Sequence, residues 1–482
     1  MHANLPESAL FIGGRWQSAA SGDRIAVEDP SRGQVIGDIQ AGAAADIDAA
    51  VAAARAALAG PWGAMSPADR GRLLSKIGRA VSERLEPLAQ LEALDVGKPL
   101  SQARADVRAL ARYLEFYGGA VDKLHGDTIP YLPGYTVFTR FEPHGVSGHI
   151  IPWNYPMQII GRSVVAALAM GNAAVLKPAE AASYSSLAVA AIAHEAGLPP
   201  GALNVVTGLG PLAGSALAAH ADVNHLSFTG STAVGAAIQA AAAAHSVPVT
   251  LELGGKSPHI VFDDADVEAA VPMLMLAAIQ NAGQTCSAGS RILVQRGVYE
   301  EVVARLSARF AALRSGAAQR DLDLGALISR RHKARVEEYI AAGRRDFTVA
   351  AEGKIDAAAP SGGYFVAATL FTGVESGHRI AQEEIFGPVA VVIPFDDEAQ
   401  AVGIANGTPY GLVAGVWSQG HSRLMRMAEQ LRAGQVYLND FGAAGGVELP
   451  FGGVGQSGFG REKGMEALRS FSTLKTVISR HG

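Results

Sequence analysis

Cysteine is almost absent: the 482 residues contain one, Cys286. A lone cysteine closes no internal disulfide, so nothing calls for an oxidising compartment, and the thiol is either inert packing or chemistry. Charge is scarce as well. Lys, Arg, Asp and Glu supply 18% of the chain, against roughly 25% in average domains. The formal net charge is −5, and no block of Lys and Arg occurs. Neither a nucleic acid nor an anionic membrane is therefore expected as a partner. Long hydrophobic runs are missing too. The most apolar stretch, residues 164–176, is broken by Gly171-Asn172 and ends at Lys177-Pro178, short of the roughly 20 residues that a spanning helix needs. The start, MHANLPESALFIGGRW, carries Glu7 and lacks the basic opening and apolar core of a signal peptide. A soluble cytoplasmic protein is expected. No internal repeat, no metal-ligand cluster and no G-x-G-x-x-G with a well-placed acid is found.

What is present is apolar and regularly punctuated. Hydrophobic residues make up 49% of the chain, which excludes extended disorder and suits several domains of about 150 residues each. The Ala-rich segment 41–59 places Ile47, Val51 and Leu58 at helical spacing, an amphipathic surface helix. TVFTRF at 136–141 alternates with period two and reads as a strand or hairpin arm outside the main core. Between 146 and 252 the runs SGHII, AAVLK, LNVVTG, LSFTG and VTLEL alternate with helical segments after Pro156, near 185–195, from Pro211 and from Thr232. Strand-helix alternation of this kind predicts a parallel sheet covered on both faces, by default a nucleotide-binding α/β domain. HIVF, RILVQ, AVVIPF and AGVWS, with helices from Ala265 and over 299–313, predict a second α/β domain; 353–363 reads as a polar turn. The tail FSTLKTVISR suits a sheet edge that pairs with something else.

Cys286 lies in NAGQTCSAGS, among glycines and small hydroxyl residues rather than in an apolar run, which favours a nucleophile over an inert thiol. Near the end of the apolar helical stretch before it, local dipoles would activate the sulfur. Glu252, in VTLELGGKSP, closes a strand at the edge where open α/β sheets bind ligands, and partial desolvation there would make it a base. Taken alone, an outward-facing strand glutamate is the simpler reading. GLGPLAG (208–214) and FTGSTAVG (228–235) each join a strand to a helix and present N–H groups suited to a pyrophosphate.

Seven motifs then occur in order: IPWNYP (151–156), LKPAE (176–180), FTGS (228–231), LELGGKSP (251–258), GQTCSAGSR (283–291), EEIFGPV (383–389) and PFGGVGQSGFGRE (450–462). In these, and from FIGGRW to LKTV, the chain closely resembles the NAD(P)-dependent aldehyde dehydrogenase superfamily, in its hydrolytic, non-acylating branch. The resemblance implies an α/β fold with a Rossmann-type cofactor domain, an α/β catalytic domain and a small β oligomerisation arm. It implies that Cys286 is the nucleophile, that the Asn154 amide holds the oxyanion, and that Glu252 activates the hydrolytic water. NAD is the implied cofactor, with NADP weaker because Glu180 would repel a 2′-phosphate. Lys177 and Glu180 would meet the adenosine ribose, Gly230 and Ser231 the pyrophosphate, and Gly210 and Gly214 the adenine side. Ile151 and Trp153 would flank the cleft, Glu384 would hold the nicotinamide ribose, and Phe386 would pack beside the ring or serve as plain core. Tyr155, Ile159, Arg162, Thr285, Ser287 and Phe451 would line the aldehyde tunnel.

Arg162 stands where many relatives with apolar substrates carry Trp; it would clamp a carboxylate tail, or pair with a local acid and stay silent. Gln280 replaces the second arginine of succinic semialdehyde members, which argues against short dicarboxylic semialdehydes. The small residues 442–446, with Ala443 and Ala444, imply a roomy entrance and an aromatic or medium-size aldehyde. The implied domains are 1–121 and 143–253 for the cofactor, 254–450 for catalysis, and 122–142 with 468–482 as the arm of a homodimer or homotetramer. Three rival readings are a CoA-acylating dehydrogenase, against which Glu252 argues, a cysteine hydrolase with a distant histidine, and a structural or binding protein that keeps the fold without turnover, against which Cys286, Glu252 and Asn154 argue.

Overall fold

The computed structural model describes residues 5–482; residues 1–4, the opening of the N-terminal segment read above, and the side chain of Ala444 lie outside the described residues. The five runs between 146 and 252 form parallel strands, Val146–Ile151, Ala173–Pro178, Leu203–Val205, His225–Thr229 and Val249–Glu252. Four of the five are wholly buried, as expected of strands with helices on both faces. In chain order they lie 3-2-1-4-5 across the sheet, the doubly wound order in which ligands bind beyond the carboxyl ends, where the order reverses. That point lies between Val146–Ile151 and His225–Thr229. Leu10–Ile12 and Arg15–Gln17 extend one edge and Gly458–Phe459 the other, making eight strands.

A second sheet has seven strands, centred on Pro258–Val261, Arg291–Gln295, Val389–Phe395 and Val413–Trp417. Each large sheet has its own apolar core. A third, antiparallel sheet pairs Ser472–Arg480 with Tyr135–Pro143 over nine residue pairs, and Thr128–Ile129 joins its other side. Phe138, Leu474 and Ile478 on this sheet are exposed. The Ala-rich segment is the helix Ala44–Leu58, with Ile47, Ala50, Val51 and Ala54 on its buried face. The expected turn at 353–363 holds a short strand, Lys354–Ile355, which pairs with Arg314–Ser315. No described helix is long and apolar enough to cross a membrane.

Candidate active site

A cavity of about 490 Å³ opens at the carboxyl ends of the first large sheet. Trp153, Asn154 and Tyr155 reach it from the turn after Val146–Ile151, Gly230 and Ser231 from the turn after His225–Thr229, and Glu252 from the end of its strand. These turns are the two sides of the switch point, so the topology delivers the motifs to one place. Thr285, Cys286 and Ser287 close the opposite wall.

The cysteine loop is built by backbone conformation. The helix Val267–Ile279, capped by the Asp266 carboxylate on the Ala269 N–H at 3.1 Å, gives way to Asn281, Ala282 and Gly283 with φ of 50°, 54° and 73°. Three successive left-handed residues turn the chain sharply, at a conformational cost for the two that are not glycine. Side-chain hydrogen bonds hold the turn in place. Asn281 Nδ2 donates to the Asn154 carbonyl at 3.0 Å, Gln284 Nε2 donates to the Asn281 carbonyl at 3.1 Å, and Asn154 Nδ2 donates to the Gln284 carbonyl at 2.9 Å. Asn154 and the cysteine loop are thus tied together, and the second amide proton of Asn154 is uncommitted among the described residues.

The expected dipole activation of Cys286 is corrected here. The sulfur lies beyond the C-terminal end of the apolar helix, where the dipole is negative and opposes a thiolate. Burial pushes the thiol up to about 12, with the Arg162 charge working the other way.

Glu252 is only 1% exposed, and neither of its carboxylate oxygens has a hydrogen-bond partner among the described residues. It does not face outward. Burial raises it well above the usual carboxylate range; Arg162 and Arg461 oppose the rise and Glu462 adds to it. Room for its carboxyl depends on Gly452, where φ is +154° and an added Cβ would stand 2.7 Å from Glu252 Oε1.

Arg162 lines the cavity and is paired with a local acid, as in the second of its two expected roles. Its Nε lies 2.6 Å from Glu462 Oε2, Nη2 donates to Thr229 Oγ1 at 3.2 Å, and the guanidinium stands 5.0 Å from the Phe451 ring centre. Glu462 is fully buried and accepts from Ser227 Oγ at 2.8 Å. Tyr155 O–H donates to Thr285 Oγ1 at 2.7 Å, and the Thr285 hydroxyl donates on to the Gln280 carbonyl at 3.1 Å. Ile159, Ser287 and Phe451 also reach the cavity, and Phe451 packs with Leu412 and Val413 against Cys286.

At the other end, Phe386 holds a left-handed conformation (φ 61°), meets Trp153 edge-on at 5.4 Å between ring centres, and lines the cavity rather than serving as plain core. His332 Nε2 is 2.7 Å from the Phe386 carbonyl. Glu384 accepts from the Gly255 N–H at 3.1 Å; burial pushes it up to about 7, against the pull of that N–H and of Lys256. Ser231 Oγ caps the helix Thr232–Ala243, whose N-terminus therefore faces the cavity. Lys177, Glu180, Gly210 and Gly214 lie outside the cavity wall. Lys177 Nζ is 3.2 Å from Glu180 Oε2, and a Cβ on Gly214 would come within 4.0 Å of the Lys177 chain, so these form a neighbouring surface. The Ile151 side chain is buried and, with Lys177, Glu180, Gly210 and Gly214, lies outside the wall of this cavity. Gly442 and Gly445 reach the cavity at its exposed side, beside the aromatic rings of Tyr437 and Phe441.

Sequence reasoning missed Asn281 and Gln284, which lock the loop, and Glu462, which neutralises Arg162. Glu462 ended a quoted motif and was the one recoverable signal. His332, Arg335 and Lys463 line the cavity without any motif to mark them.

The sequence model of the Aldehyde dehydrogenase family matches residues 16–477. The chain is 42% identical to an aldehyde dehydrogenase of Emericella nidulans over 476 residues, 98% of this chain and 95% of that one. Among solved structures, it is similar to a Burkholderia cenocepacia protein assigned as an aldehyde dehydrogenase, with TM-score 0.98 and 58% identity, covering 98% of this chain and 100% of that one. It is also similar to the NAD+ complex of aldehyde dehydrogenase from Bacillus cereus, with TM-score 0.96 and 42% identity, over 99% and 97% of the two chains. These likenesses place the molecule among the oxidoreductases. The chain belongs to the aldehyde dehydrogenase family and oxidises aldehydes.

Proposed function

We propose that the protein oxidises an aromatic or medium-size aldehyde to its carboxylic acid with NAD+, through a thioester on Cys286 that water hydrolyses. The observation that carries this reading is the meeting of Cys286, Asn154 and Glu252 in one cavity, brought there by separate strand ends and loops. The Cys286 thiol loses its proton to water in the open cavity, the sulfur adds to the carbonyl carbon, and the carbonyl oxygen takes the negative charge. The free proton of the Asn154 amide and the Cys286 N–H are the donors that hold this oxyanion. When bound, NAD+ supplies the acceptor for the hydride that leaves the captured carbon. Glu252 then takes a proton from water, whose oxygen adds to the acyl carbon. Collapse breaks the carbon–sulfur bond, releases the carboxylic acid and returns the cysteine. Arg162 favours both anions, because its charge opposes the burial of Cys286 and of Glu252 alike.

The residues present fit a dinucleotide. Glu384 is a half-buried carboxyl beside Gly254, where a Cβ would come within 2.3 Å of it, and its remaining lone pairs suit a hydroxyl donor. The helix N-terminus at Ser231 suits a pyrophosphate, and Gly210, where an added Cβ would meet open space, and Gly214, beside the Lys177 chain, leave room for an adenosine. The relative from Bacillus cereus is an NAD+ complex. In this reading 1–121 and 143–253 form the cofactor domain, 254–450 the catalytic domain, and 122–142 with 468–482 an arm that joins subunits of a homodimer or homotetramer. The exposed apolar residues of the three-stranded sheet support the last point. Use of Arg162 as a carboxylate clamp is disfavoured by its pairing with Glu462.

Initial rates at the NADH band with benzaldehyde and a medium aliphatic aldehyde test the reading. Both should be oxidised, faster with NAD+ than with NADP+; absence of NADH from every aldehyde overturns it. Glu180→Ser should raise kcat/KM for NADP+ by about 10- to 100-fold, because an anion facing a 2′-phosphate is removed. An unchanged NAD+/NADP+ ratio would place the discrimination elsewhere.

A further inference from the structure

Three cations line the cavity, Arg162, Arg335 and Lys463. Arg162 is paired with Glu462. Arg335 lies on the Glu384 and Phe386 side, where its guanidinium donates to the Glu384 carbonyl at 2.8 Å. Lys463 differs from both. Its Nζ stands 5.9 Å from the Phe451 ring centre and donates to the Gly445 carbonyl at 3.1 Å. Among the described residues no carboxylate lies within ion-pair distance of it. Glu448, whose charge reaches it, is paired with Arg112. An ammonium carries three donors, and one is used.

The backbone gives a second, independent observation. Lys463 has φ 62° and ψ 164°, a region that belongs almost wholly to glycine and costs any other residue stability. A glycine would take this turn freely, yet the chain keeps a lysine there and packs it, half-buried, against the cavity. Around it are Phe451 and, along the same cavity, Tyr437 and Phe441. A cation beside aromatic walls suits a flat or medium-length chain that ends in one negative charge.

We infer that Lys463 sets substrate choice by binding a carboxylate at the end of the aldehyde remote from its carbonyl, so that the preferred substrates are carboxylated aromatic or ω-carboxy medium-chain aldehydes. This rests on the reading of the cavity as the aldehyde site. It moves charge recognition away from Arg162, already paired with Glu462 near the reacting sulfur, to the exposed turn at Gly445.

The test compares 4-carboxybenzaldehyde with 4-methylbenzaldehyde, which share a ring and differ in the charge of the tail. In the unaltered protein kcat/KM should favour the carboxylated aldehyde. In Lys463→Met the ratio of the two kcat/KM values should fall by about 10- to 100-fold, and Lys463→Arg should restore most of it. The ratio also has its own pH signature, since steps common to both aldehydes cancel. Burial pushes Lys463 down to about 8, Arg162 lowers it further and Glu448 opposes both; those two groups, with Glu462 behind Arg162, are the charges that bear on it. The ammonium is charged below that pH and neutral above it. The preference should therefore hold below about 8 and fade above it, while in Lys463→Arg it should persist. A ratio near one in the unaltered protein, or the same ratio in Lys463→Met, overturns the assignment. Absence of NADH from both aldehydes overturns instead the aldehyde-site reading beneath it.

Discussion

Cys286→Ala is expected to lower kcat/KM for every aldehyde by about 10⁴-fold or more, because no other group in the cavity is placed to capture the carbonyl carbon. Asn154 donates hydrogen bonds, Glu252 is a carboxyl group, and the hydroxyls of the neighbouring Thr285 and Ser287 are weaker nucleophiles than a thiol. Cys286 packs with Leu412, Val413 and Phe451, so the loss must be separated from damage to the fold. Cys286→Ser keeps the volume and should be nearly as inactive. Full oxidation by either variant, followed as NADH, would remove the sulfur from the mechanism.

Glu252→Gln should have the second-largest effect, of a different kind. Capture and oxidation precede the step in which Glu252 acts, so a first turnover should survive while later ones slow by roughly 10²- to 10⁴-fold. Stopped-flow absorbance should show a burst of about one NADH per subunit followed by a slow phase. The pH dependence follows from burial. Glu252 lies well above the usual carboxylate range, so it is protonated, and useless as a base, until the pH passes its raised pKa. Hydrolysis should rise with pH on a limb displaced to the alkaline side of an ordinary glutamate, and that limb should vanish in Glu252→Gln. A burst as large in the unaltered protein, or an unchanged limb in the variant, would give the base role to another group.

The fold was legible because its signals are local. Each buried parallel strand reads as a short apolar run bounded by turn residues, and the alternation with helices leaves few arrangements of the sheet. Asn154, Glu252 and Cys286 were legible as motifs. Glu252 read by itself pointed the other way: alternation along a four-residue strand cannot tell a carboxyl facing solvent from one facing a closed cavity. Contacts between distant parts of the chain were not legible. Arg162 and Glu462 are 300 positions apart, and nothing near either predicts the 2.6 Å approach. The thiol's environment was misjudged for a related reason. A helix is legible before Cys286, but the path from its C-terminal end to the sulfur is set by the left-handed turn at Asn281 and Ala282; asparagine tolerates that conformation, whereas alanine gives no signal for it. Lys463 directly follows the motif at 450–462 and carries no signal of its own.

The most direct test of the central claim is the mass of the intact Glu252→Gln protein after mixing with 4-methylbenzaldehyde and NAD+. The account predicts a mass increase equal to one acyl group, located by peptide mapping on Cys286, that appears with the burst of NADH and disappears slowly with release of the acid. Stoichiometric acid and NADH without any adduct on Cys286, or an adduct on another residue, would contradict it.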